Sequence, residues 1–331
     1  MSGVCVVIVT YGNRVHLLKQ VMNSCIKNNV SKIIVIDNAS QEESASKLSE
    51  FSMANPDKVS VFRMSRNLGS AGGFKRGIEE ALKYRECEYI LLLDDDNVML
   101  ENCTNVLLYN FNRLEPIYGK DNLVLSAYRV SLNQLSHRAI KRGVFLGFHL
   151  KDLLRKLAGI LKEERVMDTG LDNINVELDT APWGGLFFHK QLIQKYGLPD
   201  EKFILYTDDT EFTYRITKNG GKIFFISSAK IIDIEKEVGG ESLRINLLTY
   251  LSASRSKVYY SVRNTAYFEL YCKMDTTIIR KINRLVYVLI LRMLSIIYYN
   301  KRSNFNVIIE AIRDGESGRL GYNDKYSLQE N

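Results

Sequence analysis

The chain is poor in features that mark several protein classes. Its five cysteines, Cys5, Cys25, Cys87, Cys103 and Cys272, are odd in number and never closer than 16 positions. That spacing offers neither a zinc knuckle nor a disulfide framework and suits a reducing compartment. A bilayer span needs ~20 apolar residues, and the candidate run at residues 285–291 is broken by Arg292. Residues 1–10 are apolar but lack a basic n-region and a small-residue cleavage site, which excludes a signal peptide reading. Internal repeats and low-complexity tracts are missing as well.

What is present describes an ordinary globular chain. Its 331 residues are 46% apolar and 25% charged, enough for one large α/β domain with an appendage. The net charge of +7 and a pI near 9 favour anionic partners: nucleotides, anionic headgroups or nucleic acid.

Residues 4–9 are a continuous apolar run closed by Thr10-Tyr11-Gly12-Asn13, the pattern of a buried parallel strand. Residues 15–28 then space apolar side chains at helical intervals. The strand signal returns at 32–36 and stops at Asp37-Asn38-Ala39-Ser40, followed by a helical stretch at 42–53. A third strand at 59–64 leads into Asn67-Leu68-Gly69-Ser70-Ala71-Gly72-Gly73 and a helix at 74–83; a fourth, at 89–93, ends in Asp94-Asp95-Asp96. The alternation predicts a doubly wound, mostly parallel sheet. Ligands of such sheets sit at the carboxyl ends of the strands, where these polar stretches fall.

Residues 144–177 lose the pattern, with 151–165 read as a helix and loop. Order returns at 181–188 and 206–215, with strands at 222–226 and 229–234, and helices dominate beyond about 243. Two units are therefore expected: residues 1–242, a domain of α/β class, and 243–331, a helical C-terminal region.

Three aspartates closing an apolar strand crowd like charges unless something neutralises them. A divalent cation is the simplest remedy, and hard oxygen ligands suit Mg²⁺ or Mn²⁺; a solvated acidic loop is the alternative. A second acidic group, Asp208-Asp209 with Glu211, could supply a general base, or could simply be a helix N-terminus whose dipole favours anions.

Taken together, these stretches resemble family 2 glycosyltransferases, inverting enzymes of GT-A fold. The resemblance rests on Val6-Val7-Ile8-Val9-Thr10-Tyr11-Gly12-Asn13-Arg14, Val35-Ile36-Asp37-Asn38-Ala39-Ser40, Arg66-Asn67-Leu68-Gly69-Ser70-Ala71-Gly72-Gly73-Phe74, Leu93-Asp94-Asp95-Asp96 and Asp208-Asp209-Thr210-Glu211-Phe212, in that order. The glycine-rich segment is most similar to the galactofuranosyltransferase-like branch, with rhamnosyltransferases close by.

The resemblance implies roles for particular residues. Thr10, Tyr11 and Asp37 would hold a uridine-type base and ribose, Asn67, Gly72 and Gly73 would let backbone approach the nucleotide, and Asp95 would lie towards the ribose or donor sugar. Asp94 and Asp96 would bind the cation, Asp209 would be the general base, and Asp208 and Glu211 would shape the substrate pocket. Trp183, Gly184 and Gly185 would line the acceptor site, and Arg263, in Tyr259-Tyr260-Ser261-Val262-Arg263-Asn264, would close over it. The family's histidine ligand after the acidic helix has no counterpart, because His16, His137, His149 and His189 all come earlier. Either Asp233 replaces it or water does. The resemblance also implies a UDP-sugar donor, UDP-galactofuranose first, a glycan or lipid-linked acceptor in cell-envelope polysaccharide synthesis such as capsule or O antigen, and a cytoplasmic location.

Residues 277–302 carry six basic side chains and no acidic one. They read as a helix on the inner face of a membrane, with Tyr287, Tyr298 and Tyr299 at headgroup depth, or as a dimer interface. A nucleic-acid partner is not expected, because strands carrying paired aromatics for base stacking are not evident.

Overall fold

In this computed structural model, residues 3–130, 175–235, 253–273, 278–297 and 303–328 are described. The expected helix at 151–165 lies outside them. The first half alternates β1 (Gly3–Thr10), α1 (Val15–Lys27), β2 (Lys32–Asp37), α2 (Glu42–Ala54), β3 (Val59–Arg63), α3 (Gly69–Ala81) and β4 (Cys87–Asp94). A short β5 (Asn97–Met99), α4 (Cys103–Tyr118) and β6 (Leu123–Arg129) follow. After them come β7 (Asn175–Leu178), β8 (Leu186–His189), α5 (Gln191–Tyr196), α6 (Asp208–Lys218) and β9 (Lys222–Asp233). The described C-terminal elements are helical: α7 (Arg255–Tyr267), α8 (Ile278–Ile297) and α9 (Ser303–Glu316).

One mixed sheet runs in the order β3-β2-β1-β4-β8-β6-β9-β5, with β7 also on β9. The pairs β3/β2, β2/β1, β1/β4 and β6/β9 are parallel, whereas β8, β5 and β7 pair antiparallel. Alternation along the strands sends Val4, Val6 and Ile8 to the face covered by α1 and α4, and Val7 to the face covered by α3. Both faces are buried, which is why the central strands are apolar throughout. A third core, built by Tyr260, Val262, Leu291 and Ile308, holds α7, α8 and α9 together and takes in Ile204.

Four expectations are corrected here. The residues read as two strands within 222–234 are one strand, β9, paired with β6 across a register shift. The helix expected from residue 74 begins earlier: Gly72 and Gly73 lie inside α3, where a Cβ on Gly73 would come 2.5 Å from Val9 Cγ1. Close approach of α3 to β1 is what requires glycine at 73, whereas a Cβ on Gly72 would meet Leu68 at 2.7 Å. Cys5 and Cys87, 82 residues apart, form a disulfide between β1 and β4, a pairing that spacing along the chain does not show. Tyr287 points into the C-terminal core at 5% exposure rather than outward; Tyr298 and Tyr299 lie outside the described residues.

Candidate active site

The register of the parallel strands sets Thr10 beside Asp37 and Val9 beside Asp94, so three carboxyl ends open onto one edge of the sheet. A cleft of about 400 Å³ lies there, lined by Tyr11, Asn38, Asn67, Asp94, Asp95, Asp96, Trp183, Asp208 and Asp209 among others. Sequence segments nearly 200 residues apart thus meet in one space.

The Asp94–Asp96 group is held by two arginines. Asp95, 3% exposed, accepts from Thr10 Oγ1 at 2.8 Å and from Arg14 Nε at 2.9 Å. Burial pushes its carboxyl up, and Arg14 opposes that. Burial also works against the charge of Arg14, yet its bonds to Glu235 and Asp95 hold it above its ordinary value. Asp96 accepts from Asn97 Nδ2 at 2.9 Å and lies 3.4 Å from Arg14. Burial, then the charges of Asp94, Asp233 and Asp95, push Asp96 up to about 8. Arg129, at the end of β6, spans Asp233 at 3.0 Å and Asp94 at 3.5 Å. Asp233 pairs with Asn97 of β5 in the ladder and is 1% exposed; Arg129, not Asp233, lines the cleft. Gly184 packs on this group so tightly that a Cβ would come 2.1 Å from Asn97 Oδ1 and 2.9 Å from Asp94 Oδ2.

A divalent cation fits this group by charge and donor chemistry: the donors are hard carboxylate oxygens, and Asp96 is raised by burial and by the neighbouring charges of Asp94, Asp233 and Asp95. In the arrangement described, Arg129 stands among the acids, and no three histidine, cysteine or acidic side chains among the described residues are disposed to share an ion.

The second group sits at the start of α6 and has neutral partners. Asp208 Oδ2 accepts from Ser70 Oγ at 2.6 Å and from Trp183 Nε1 at 2.9 Å. Burial and the neighbouring Asp209 push Asp208 up to about 7 against those bonds. Asp209 Oδ1 accepts from the Thr210 amide at 2.6 Å and its hydroxyl at 3.1 Å, while Oδ2 has no hydrogen-bond partner among the described residues. Burial raises Asp209 as well, with Asp94 contributing and Thr210 opposing. Trp183 is 4% exposed, wedged against Phe74 and Phe212 with ring centroids at 5.0 and 5.3 Å. Its indole is therefore core and cleft wall at once.

The loop that delivers these aspartates is strained. Ile204, Tyr206 and Thr207 have φ of 65°, 65° and 64°, a region that side-chain-bearing residues enter at a cost of about 1–3 kcal/mol each. It is fastened from both sides. Asn264 Nδ2 donates to the carbonyls of Phe203, Leu205 and Tyr206 at 2.6, 2.8 and 2.8 Å, and Arg263 donates to those of Lys202 and Phe203 at 3.2 Å. From α3, the Ala71 amide donates to Ile204 O at 3.1 Å, and Gly69, with φ +71°, passes so close that a Cβ would lie 2.0 Å from that oxygen.

Of the residues named from the sequence, Tyr11, Asn67, Asp94, Asp95, Asp96, Trp183, Asp208 and Asp209 line the cleft. The others lie elsewhere. Thr10 is buried under Asp95; Asp37, 1% exposed, caps its own turn through the Ser40 amide at 2.8 Å. Glu211 is turned to Arg215 at 2.9 Å. Gly73 faces β1 and Gly72 faces Leu68, Gly185 (φ +90°) bonds to β4 and β6, and Arg263 is sunk at 1% exposure against the rings of Tyr259 and Tyr260. Arg14, Asn38, Ser70, Arg129 and Asn264 are the functional-looking residues to which the sequence assigned no role. Four of them sit inside or beside the quoted motifs; Arg129 has no local signal at all.

This architecture is the GT-A type α/β fold. It aligns with the crystal structure of GalNAc-T7 with UDP, GalNAc and Mn²⁺ at a TM-score of 0.54 and 18% identity, covering 82% of this chain and 49% of that one. The family described as glycosyl transferase family 2 matches residues 5–143. Among curated proteins, galactofuranosyltransferase GlfT2 of Mycolicibacterium smegmatis is 26% identical over 175 residues, 50% of this chain and 26% of that protein. Its counterpart in Mycobacterium tuberculosis is 24% identical over 161 residues, 46% of this chain and 24% of that protein. The match to these curated relatives spans about a quarter of their own length.

Proposed function

We propose that the chain is an inverting hexosyltransferase that moves a sugar from a nucleotide diphosphate donor, UDP-galactofuranose first among the candidates, to a hydroxyl of a glycan or lipid-linked acceptor. The observation that carries the reading is one cleft faced by two unlike acidic groups, one held by guanidiniums and the other by neutral donors with a carboxylate oxygen left open. The names of the curated relatives support galactofuranose; rhamnose and other hexoses are the alternatives that the same site chemistry admits.

Tyr11, 40% exposed beside Arg14, offers a ring face to a base, and Asn67 offers its amide nitrogen to a ribose, while Asn38 commits its amide to Asn67, Gly69 and Leu68 and holds that edge of the cleft. Arg14 and Arg129 supply positive charge at the depth where a diphosphate would lie. Asp94 and Asp96 would hold a divalent cation, which neutralises the departing diphosphate when bound. Asp209 Oδ2 takes the proton from the acceptor hydroxyl as its oxygen attacks the anomeric carbon; the new glycosidic bond forms while the bond to diphosphate breaks, so the configuration inverts. A raised carboxyl is the better base for this step. Asp208 stays fixed by Ser70 and Trp183 and shapes the pocket.

The test is calorimetric titration of the purified protein with UDP and dTDP, with Mn²⁺ and then with EDTA, beside Asp96→Ala. Binding of one nucleotide that needs the metal and is lost in the variant supports the reading and narrows the donor. No binding under any condition sinks it.

A further inference from the structure

The site does not account for the outer face of α8. Ile278, Ile282, Leu285, Leu289, Met293 and Ile296 follow one another at intervals of four, three, four, four and three residues, and each is at least 51% exposed. Such spacing places them on a single line along a helix. At 1.5 Å per residue the stripe is about 27 Å long. From these exposures it offers roughly 700 Å² of aliphatic surface, more than the ~300–600 Å² of the largest patch on a typical monomer. The opposite face is already used: Tyr287 and Leu291 are buried with Ile308 and Ala311 of α9.

Charge decides what the stripe meets. The helix contains four basic residues and no acidic one. Arg280 and Arg284 are tied to Glu316, while exposed Lys281 and Arg292, the latter over the Phe305 ring at 5.1 Å, lie along one flank of the stripe. A second copy packed stripe to stripe would bring basic flanks together with no acid on either helix to answer them. An anionic bilayer offers both complements: acyl chains for the aliphatic line and phosphates for the flank. Among the described residues no helix is long and apolar enough to cross a membrane, so the helix lies along it rather than through it.

We infer that α8 is a docking face for an anionic lipid bilayer, lying flat with its aliphatic stripe at the acyl boundary and Lys281 and Arg292 at the phosphates. The face is one layer from the cleft, because Tyr287 and Leu291 share a core with Ile204 of the loop that carries Asp208 and Asp209. Docking would hold the cleft near acceptors that reside in the membrane.

The experiment is sedimentation of the full chain with phosphatidylglycerol vesicles and with neutral phosphatidylcholine vesicles, beside Leu285→Glu/Leu289→Glu and Lys281→Glu/Arg292→Glu. UDP titration, thermal melting and light scattering are run on the same preparations. Expected is binding to the anionic vesicles that weakens at least tenfold in the first variant and several-fold in the second or at high salt, with melting and UDP binding unchanged. Wild-type protein that ignores both vesicles, or binding that the first variant retains, overturns the inference. A dimer that the first variant dissolves, without vesicle binding, overturns it in favour of a second copy. UDP binding reads the proposed activity separately, so either conclusion can fail alone.

Discussion

The two acidic groups of the cleft are both buried and both carry carboxyls raised by burial, yet their neighbours differ in kind. Asp95 and Asp96 are reached by Arg14, and Asp94 and Asp233 by Arg129. Asp208 and Asp209 are reached by a serine, an indole and a threonine, none of which can carry charge in exchange. Surroundings made of ions suit a place where charge must be gathered and released with a diphosphate. Surroundings made of neutral donors suit a place where a proton must be taken up, since protonation there disturbs no ion pair.

The sharpest way to break the comparison is Asp209→Asn, which removes the base and keeps the shape. Transfer should fall about 10²–10⁴-fold in kcat while UDP binding stays within about twofold. If Asp208→Asn falls that far and Asp209→Asn does not, the roles are reversed. Asp96→Ala should instead weaken metal-dependent UDP binding roughly 10–100-fold by titration, the size of a lost contact to a charged group. Arg129→Gln should weaken UDP binding by about tenfold, since a charge-assisted contact is lost, with less effect on the proton transfer. The pH profile of kcat sharpens the contrast: Asp209 must be ionised to act, and its carboxyl is raised, so activity should already decline at a pH where an ordinary carboxylate is still fully charged. The smallest effect concerns stability. Between the ordinary value of 3.8 and about 8 the folded protein binds more protons at Asp96 than the unfolded chain does, so with EDTA present stability falls as pH rises through that window. Asp96→Asn should then melt about 1–4 °C higher at pH 8 and show little gain at pH 4.

Much of this was legible in the sequence because strand ends announce themselves. Apolar runs that stop at Thr10, Asp37 and Asp94 forecast both the strands and the edge on which the cleft lies. What escaped was decided across the sheet. Arg129 reaches Asp233 over 104 residues, and no local pattern marks an arginine at the end of β6 as a partner of β4. The antiparallel β8, β5 and β7 are short, and their direction is set by the strands they meet. The glycines ahead of residue 74 have a turn-like composition that hides the start of the helix; α3 already includes them, with Gly73 packed on Val9. Glu211 and Arg263 belong to motifs yet face inward or sideways, since being adjacent in sequence to a site residue does not settle where a helical side chain points.

The fastening of the Phe203–Thr207 loop by Asn264 bears on how this protein could be cut and recombined. A boundary drawn near residue 243 would remove Arg263 and Asn264, as well as Lys257 and Leu328, which also line the cleft. Through α7 and Leu328 the C-terminal region thus walls part of the site and cannot be treated as a detachable tail. A chimera that exchanges the sheet while importing unrelated C-terminal helices would leave a left-handed loop held only by α3. Exchanges meant to change donor or acceptor should carry α3, the loop and α7 together as one heritable block.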